Sequence, residues 1–181
     1  KVGLGRIPEE GAAIVVCNHV SYVDALVISA ACRRPIRWVM DHRIFRIPVL
    51  AFVFRTAKAI PIAPMHEDPA MLERAYEAIA RELADGQLVG IFPEGKLTSS
   101  GEMNEFRGGI MKILERSPVP VIPMALSGLW RSLFTRNRAR LRHATQLFPR
   151  IRLCVGEPVP APSVNPDGLH AAVLAMRGNW R

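Results

Sequence analysis

Short apolar runs alternate along the chain with longer stretches whose apolar residues recur at helical spacing. The runs at 13–17, 36–40, 59–63, 88–92 and 119–125 predict buried strands, and 25–32, 44–54, 70–84 and 106–114 predict the helices between them. Strand and helix taking turns in this way indicates an α/β fold: a single domain with a largely parallel central sheet flanked by helices. The helix at 70–84 has the clearest punctuation. Asp68 stands at its cap, Pro69 at the first helical position, Leu72, Ala75, Ile79 and Leu83 on one stripe, and Asp85-Gly86 at its end. The last third is less regular, with a strand at 150–155, a proline-rich linker at 158–166 and a short helix at 169–176. No internal repeat is present.

Composition narrows the class. A chain of 181 residues suits one domain, and 49% hydrophobic with 22% charged residues excludes a disordered chain. The net charge of +8 predicts acidic partners: nucleic acid, anionic lipid or a phosphorylated small molecule. Cys17, Cys32 and Cys154 are odd in number and far apart, which argues against a disulfide framework and for a reducing compartment. No apolar run reaches the roughly 18 residues of a spanning helix, and the first residues given lack the basic and apolar blocks of a signal peptide. Because the chain starts at Lys1, residues 1–181 are expected to be one domain cut from a longer, membrane-associated protein.

Candidate chemistry sits at two strand ends. The first strand runs into Asn18-His19 and, five residues on, Asp24. On an ideal helix that spacing leaves the two side chains about 140° apart, so they meet only if His19 is on a loop and Asp24 in the next helix's first turn. Asp24 could then fix the imidazole tautomer and free the other nitrogen as a base. The competing reading is that Asn18, Ser21 and Asp24 cap the helix. The second strand end is FPEGK, 92–96, where Pro93 stops the strand, Gly95 permits a tight turn, and Glu94 and Lys96 are left at the rim.

Together the two blocks resemble the glycerolipid acyltransferases, the 1-acylglycerol-3-phosphate O-acyltransferase-like family with N-H-x4-D and F-P-E-G motifs. Here these are NHVSYVD, 18–24, and FPEG, 92–95, with AIPIA, 59–63, and VIPMA, 121–125, similar to the family's second and fourth blocks. The resemblance covers about residues 11–128. It implies that His19 deprotonates an acceptor hydroxyl, which attacks the thioester of acyl-CoA or an acyl carrier protein, while Asp24 orients the ring. It further implies that Glu94 and Gly95 position the acceptor and that an amide near Gly95 binds the oxyanion. No cofactor and no metal are implied.

Two departures bear on the acceptor. Family members that form phosphatidic acid carry arginines at the end of the second block and in E-G-T-R, but this chain has Pro64 and Lys96-Leu97 there. A phosphate monoester attracts forked arginine contacts, so their loss turns the expectation toward another lysophospholipid. Lys58, Lys96 and Arg107 remain as substitute cations. AKAIPIAP and FPEGKL resemble the 2-acylglycerophosphoethanolamine acyltransferase branch, with 1-acylglycerol-3-phosphate as the alternative acceptor.

Partners follow from charge. Between Leu129 and Arg152 lie seven arginines and no acidic residue, interleaved with apolar side chains, which predicts a membrane surface at the cytoplasmic face, peripheral or tethered. Arg33, Arg34, Arg37, Arg43 and Arg46 are expected to meet CoA phosphates or an acidic carrier. Three rivals fare worse. A serine hydrolase lacks the G-x-S-x-G elbow, since Ser127 reads A-L-S-G-L. A metal site lacks a second histidine at ligand spacing, His42, His66, His143 and His170 being scattered. A nucleic-acid-binding module leaves both blocks unexplained.

Overall fold

The computed structural model describes residues 1–130 and 150–179. Six strands, β1 (Ala13–Cys17), β2 (Ile36–Asp41), β3 (Ile60–Ile62), β4 (Leu88–Ile91), β5 (Val121–Ser127) and β6 (Arg152–Val155), form one sheet in the order β3-β2-β4-β1-β5-β6. All pairings are parallel except β5 with β6. The two central strands, β1 and β4, are buried along their whole length, as a sheet covered on both faces requires.

Helices cover both faces. Ala25 and Ile28 of α1 (Asp24–Ala31) and Phe54 of α2 (Pro48–Thr56) join one core cluster with Val15, Trp38 and Met124. Ala75, Ile79 and Leu83 of α3 (Pro69–Ala84), Ile110 and Ile113 of α4 (Gly109–Arg116) and Leu169 and Val173 of α5 (Pro166–Arg177) join the other, against Ile14, Val16 and Val89. Alternate residues of each strand thus feed opposite cores. Among the described residues no helix is long and apolar enough to cross a membrane.

Three boundaries differ from the sequence expectation by three residues or more, each for a local reason. The single helix expected at 44–54 is broken: a 3-10 turn spans His42–Arg46, Ile47 is extended, and α2 starts at Pro48. Proline disfavours helical geometry in the residue before it, while its own missing N–H suits a first helical position. The last helix starts at Pro166, not 169, because the Asn165 side chain accepts from Gly168 N–H. The helix expected from 106 starts at Gly109, because the chain before it is held to the site described next.

Candidate active site

Sheet order creates the site. Because β1 and β4 are neighbours with Val16 opposite Ile91, continuing both strands by three residues sets His19 beside Glu94 at the carboxyl end of the sheet. In open α/β sheets that rim is where ligands bind. The two blocks are then tied together through backbone. His19 N–H donates to Glu94 Oε1 at 2.7 Å, and His19 C=O accepts from Thr98 N–H at 3.1 Å.

Asp24 lies in the first turn of α1 and is fully buried. Its Oδ2 accepts from Val20 N–H at 2.7 Å, from Ser21 N–H at 2.8 Å and from His19 Nδ1 at 2.9 Å. The helix-cap reading is therefore replaced: Val23 is the cap residue, and Asp24 gathers the loop before the helix around the imidazole. Asn18 is not a cap either. Its side chain donates to Leu126 C=O and accepts from Leu126 N–H, completing a ladder position between β1 and β5.

With Nδ1 donating to a carboxylate, Nε2 is the ring nitrogen left for a substrate, on a side chain that is 21% exposed. The ring lies flat on Phe92, with centroids 4.1 Å apart, and Phe92 lies flat on Trp38 at 4.7 Å. Gly90 makes room for this stack, since a Cβ there would stand 2.6 Å from the Trp38 ring. Trp38 is itself fixed by donating Nε1–H to Ser29 Oγ. The imidazole is thus held at one edge by a charge and on one face by two rings.

Glu94 is turned inward. Oε2 accepts from Asn104 N–H and Nδ2–H, each at 2.7 Å, while Oε1 takes the His19 amide, so the carboxylate braces two loops. Burial pushes its carboxyl above the usual range, and the N–H donors and His19 only partly pull it back. Gly95 has φ +66, a left-handed conformation that favours glycine, and its N–H donates to Phe92 C=O. The Gly95 N–H is thus engaged within the turn.

Lys96 and Arg107 are exposed and line an open groove of about 740 Å³ with Glu94, Asn104 and Phe106. Lys58 is not brought there. It precedes β3, three strands from β1, about 14 Å away at the usual strand spacing. Nor do the five arginines form one free cluster. Arg34 donates to the carbonyls of Pro8, Gly11 and Gly86, Arg37 pairs with Glu82, and Arg43 with Asp41 and Glu67. Most of the basic stretch between Leu129 and Arg152 lies outside the described residues. Phe92 and Asn18 are the contributors whose roles the sequence reading missed. Their only signal was membership of the two blocks.

Comparison with known proteins agrees with the geometry. The chloroplastic 1-acyl-sn-glycerol-3-phosphate acyltransferase LPAT1 of Arabidopsis thaliana is 23% identical over 158 residues, covering 87% of this chain and 42% of that protein. An N-acylphosphatidylethanolamine synthase of Arabidopsis thaliana is 29% identical over 159 residues, covering 81% of this chain and 55% of that protein. The chain thus spans about half the length of these relatives. The crystal structure of the 1-acyl-sn-glycerophosphate (LPA) acyltransferase PlsC from Thermotoga maritima has the same fold, with a TM-score of 0.76 at 20% identity over 96% of this chain and 68% of that one. The Acyltransferase family model matches residues 1–127, which carry both strand-end blocks, and the chain belongs to that family.

Proposed function

We propose that the protein transfers a fatty acyl group from a thioester, acyl-CoA or an acyl carrier protein, to the free hydroxyl of a lysophospholipid, with His19 as general base. The observation that carries this reading is the His19 Nδ1 contact with buried Asp24 at 2.9 Å, which makes Nε2 the basic nitrogen. In the reaction Nε2 takes the hydroxyl proton as the oxygen attacks the thioester carbonyl. The tetrahedral intermediate then expels the thiolate, the C–S bond breaks, and the imidazolium returns its proton to sulfur. Asp24 stabilises the imidazolium in between, and general base catalysis of this kind contributes roughly 10²- to 10⁴-fold. Glu94 acts as a positioning residue through the His19 amide.

The preferred acceptor is a 2-acylglycerophosphoethanolamine. A phosphate monoester carries nearly two charges, and among the described residues the groove offers it two cations, Lys96 and Arg107, with Pro64 and Leu97 where the motif resemblance leads one to expect arginine. The relative named for N-acylphosphatidylethanolamine supports an ethanolamine lipid. The relatives named for 1-acylglycerol-3-phosphate support the second reading, phosphatidic acid formation. The test supplies acyl-CoA or acylated carrier protein with a panel of lysophospholipids and measures diacyl product. Turnover that survives His19→Ala in full with every acceptor refutes the mechanism.

A further inference from the structure

Exposed apolar side chains are concentrated on one layer of the molecule. Among the described residues, six of the ten large hydrophobics left exposed, Tyr22, Leu26, Ile47, Val49, Phe52 and Val53, belong to α1, α2 or the residues that lead into them. Val49 and Phe52 are the extreme cases, each 74% exposed. On α2 the inner face is Ala51 and Phe54, both buried, and the outer face is Val49, Phe52 and Val53 at the i, i+3, i+4 spacing of one stripe. A helix that buries one apolar face and shows another to water is unfinished.

The stretch of sequence that carries the stripe has charges of one sign. From His42 to His66 the sequence holds no Asp or Glu. Arg43 is committed to Asp41 and Glu67, but Arg46, Arg55 and Lys58 are exposed and have no acidic partner among the described residues. These three precede, end and follow the apolar stripe. An apolar ridge flanked by cations is the composition of a segment that lies in a lipid interface, with apolar side chains below the headgroups and cations among anionic ones.

We propose that the outer face of α2, with Arg46, Arg55 and Lys58, docks on an anionic lipid surface. A second copy of the chain fits the face less well. It would oppose like charges, and one face of a nine-residue helix is far short of the area a stable dimer buries. The face starts near the site and runs away from it: β2 brings the chain to the same carboxyl rim as His19 and α2 is entered from there, while Arg37 at the start of β2 donates to Ala57 C=O at the end of α2. The choice of lipid over another acidic partner rests on the lysophospholipid reading above.

Vesicle co-sedimentation of the 181-residue chain tests the proposal, with phosphatidylcholine alone against phosphatidylcholine containing phosphatidylglycerol. Binding is expected to require the anionic lipid and to weaken as salt rises. Neutralising Arg46, Arg55 and Lys58 together to Gln should weaken it about 10²-fold, at roughly fivefold per charge. The pair Val49→Ser and Phe52→Ser should weaken it at least tenfold with unchanged circular dichroism. Turnover is measured in parallel on vesicle-embedded and on monodisperse short-chain lysophospholipid, and the variants should lose only the former. Unchanged vesicle binding in both variants overturns the proposal, as does a change in oligomeric state in place of lipid binding. Wild-type binding without turnover on any acceptor would refute the functional reading and leave the docking face standing.

Discussion

Replacing Asp24 in two ways separates what its charge does from what its shape does. Three donors, His19 Nδ1, Val20 N and Ser21 N, converge on Oδ2, while Oδ1 is buried with no partner among the described residues. Asn fits this asymmetry: its carbonyl can take the Oδ2 place and keep all three bonds, with the amide in the Oδ1 place. Asp24→Asn therefore removes the charge and retains the geometry. A unit charge 2.9 Å from an imidazolium contributes between about 1.4 kcal/mol at the dielectric of water and about 6 kcal/mol at an effective value of 20. For a ring 21% exposed we take about 3 kcal/mol, a fall in kcat of about 10²-fold at 1.36 kcal/mol per decade. Asp24→Ala loses the bonds as well. It strands two buried backbone N–H groups at about 1–3 kcal/mol each, so stability should fall by about 2–6 kcal/mol and kcat by more than 10³-fold. The assay is thiol release from acyl-CoA with the best acceptor, beside urea unfolding of each variant. Full kcat in Asp24→Asn would refute the electrostatic role, and equal losses in the two variants would refute the orienting one.

Glu94→Gln carries a signed pH dependence. Because burial raises the native carboxyl, its stabilising contribution is complete below the ordinary value of about 4.3 and declines as pH rises through the native value. Gln also loses at least one of the three bonds, so the variant is less stable, and its deficit against wild type should shrink from pH 4 to pH 7 in paired urea melts. Phe92→Leu keeps an apolar side chain under the imidazole and removes both ring contacts, about 0.5–1.5 kcal/mol each. Turnover should fall several-fold with KM unchanged, and a change confined to KM would assign Phe92 to substrate binding instead.

Much of the scaffold is legible in the sequence because each element carries its own signal. β1 matches its apolar run, and α3 is announced by Asp68, Pro69 and a four-residue stripe. His19 and Asp24 are legible as a pair because the spacing admits only a loop and a first turn. What local pattern does not encode is strand order. That β1 lies between β4 and β5 decides that Asn18 grips Leu126, that Phe92 backs His19 and that Lys58 stands three strands away. Partner choice is equally nonlocal: five arginines close in sequence are divided by the fold, since carbonyls and carboxylates far along the chain claim three of them.

The polar residues of the two blocks are mostly directed inward, which places acceptor choice elsewhere. Asn18 and Asp24 are buried and bonded to backbone, and Glu94, which lines the groove, has both oxygens engaged by His19 and Asn104. On the acceptor reading proposed above, discrimination falls on Lys96, Arg107 and Asn104 along the groove. Leu97 stands where the resemblance to E-G-T-R leads one to expect arginine, yet here the residue is only 9% exposed. An arginine at that site would have to bury a charge or push the loop outward, and the same loop donates Thr98 N–H to His19 C=O. Leu97→Arg is therefore expected to cost about 3 kcal/mol or more of stability, and not to create a phosphate site. Faster turnover of 1-acylglycerol-3-phosphate in that variant, at undiminished melting temperature, would show that the loop is built to accept the cation and that the acceptor assignment proposed here is wrong.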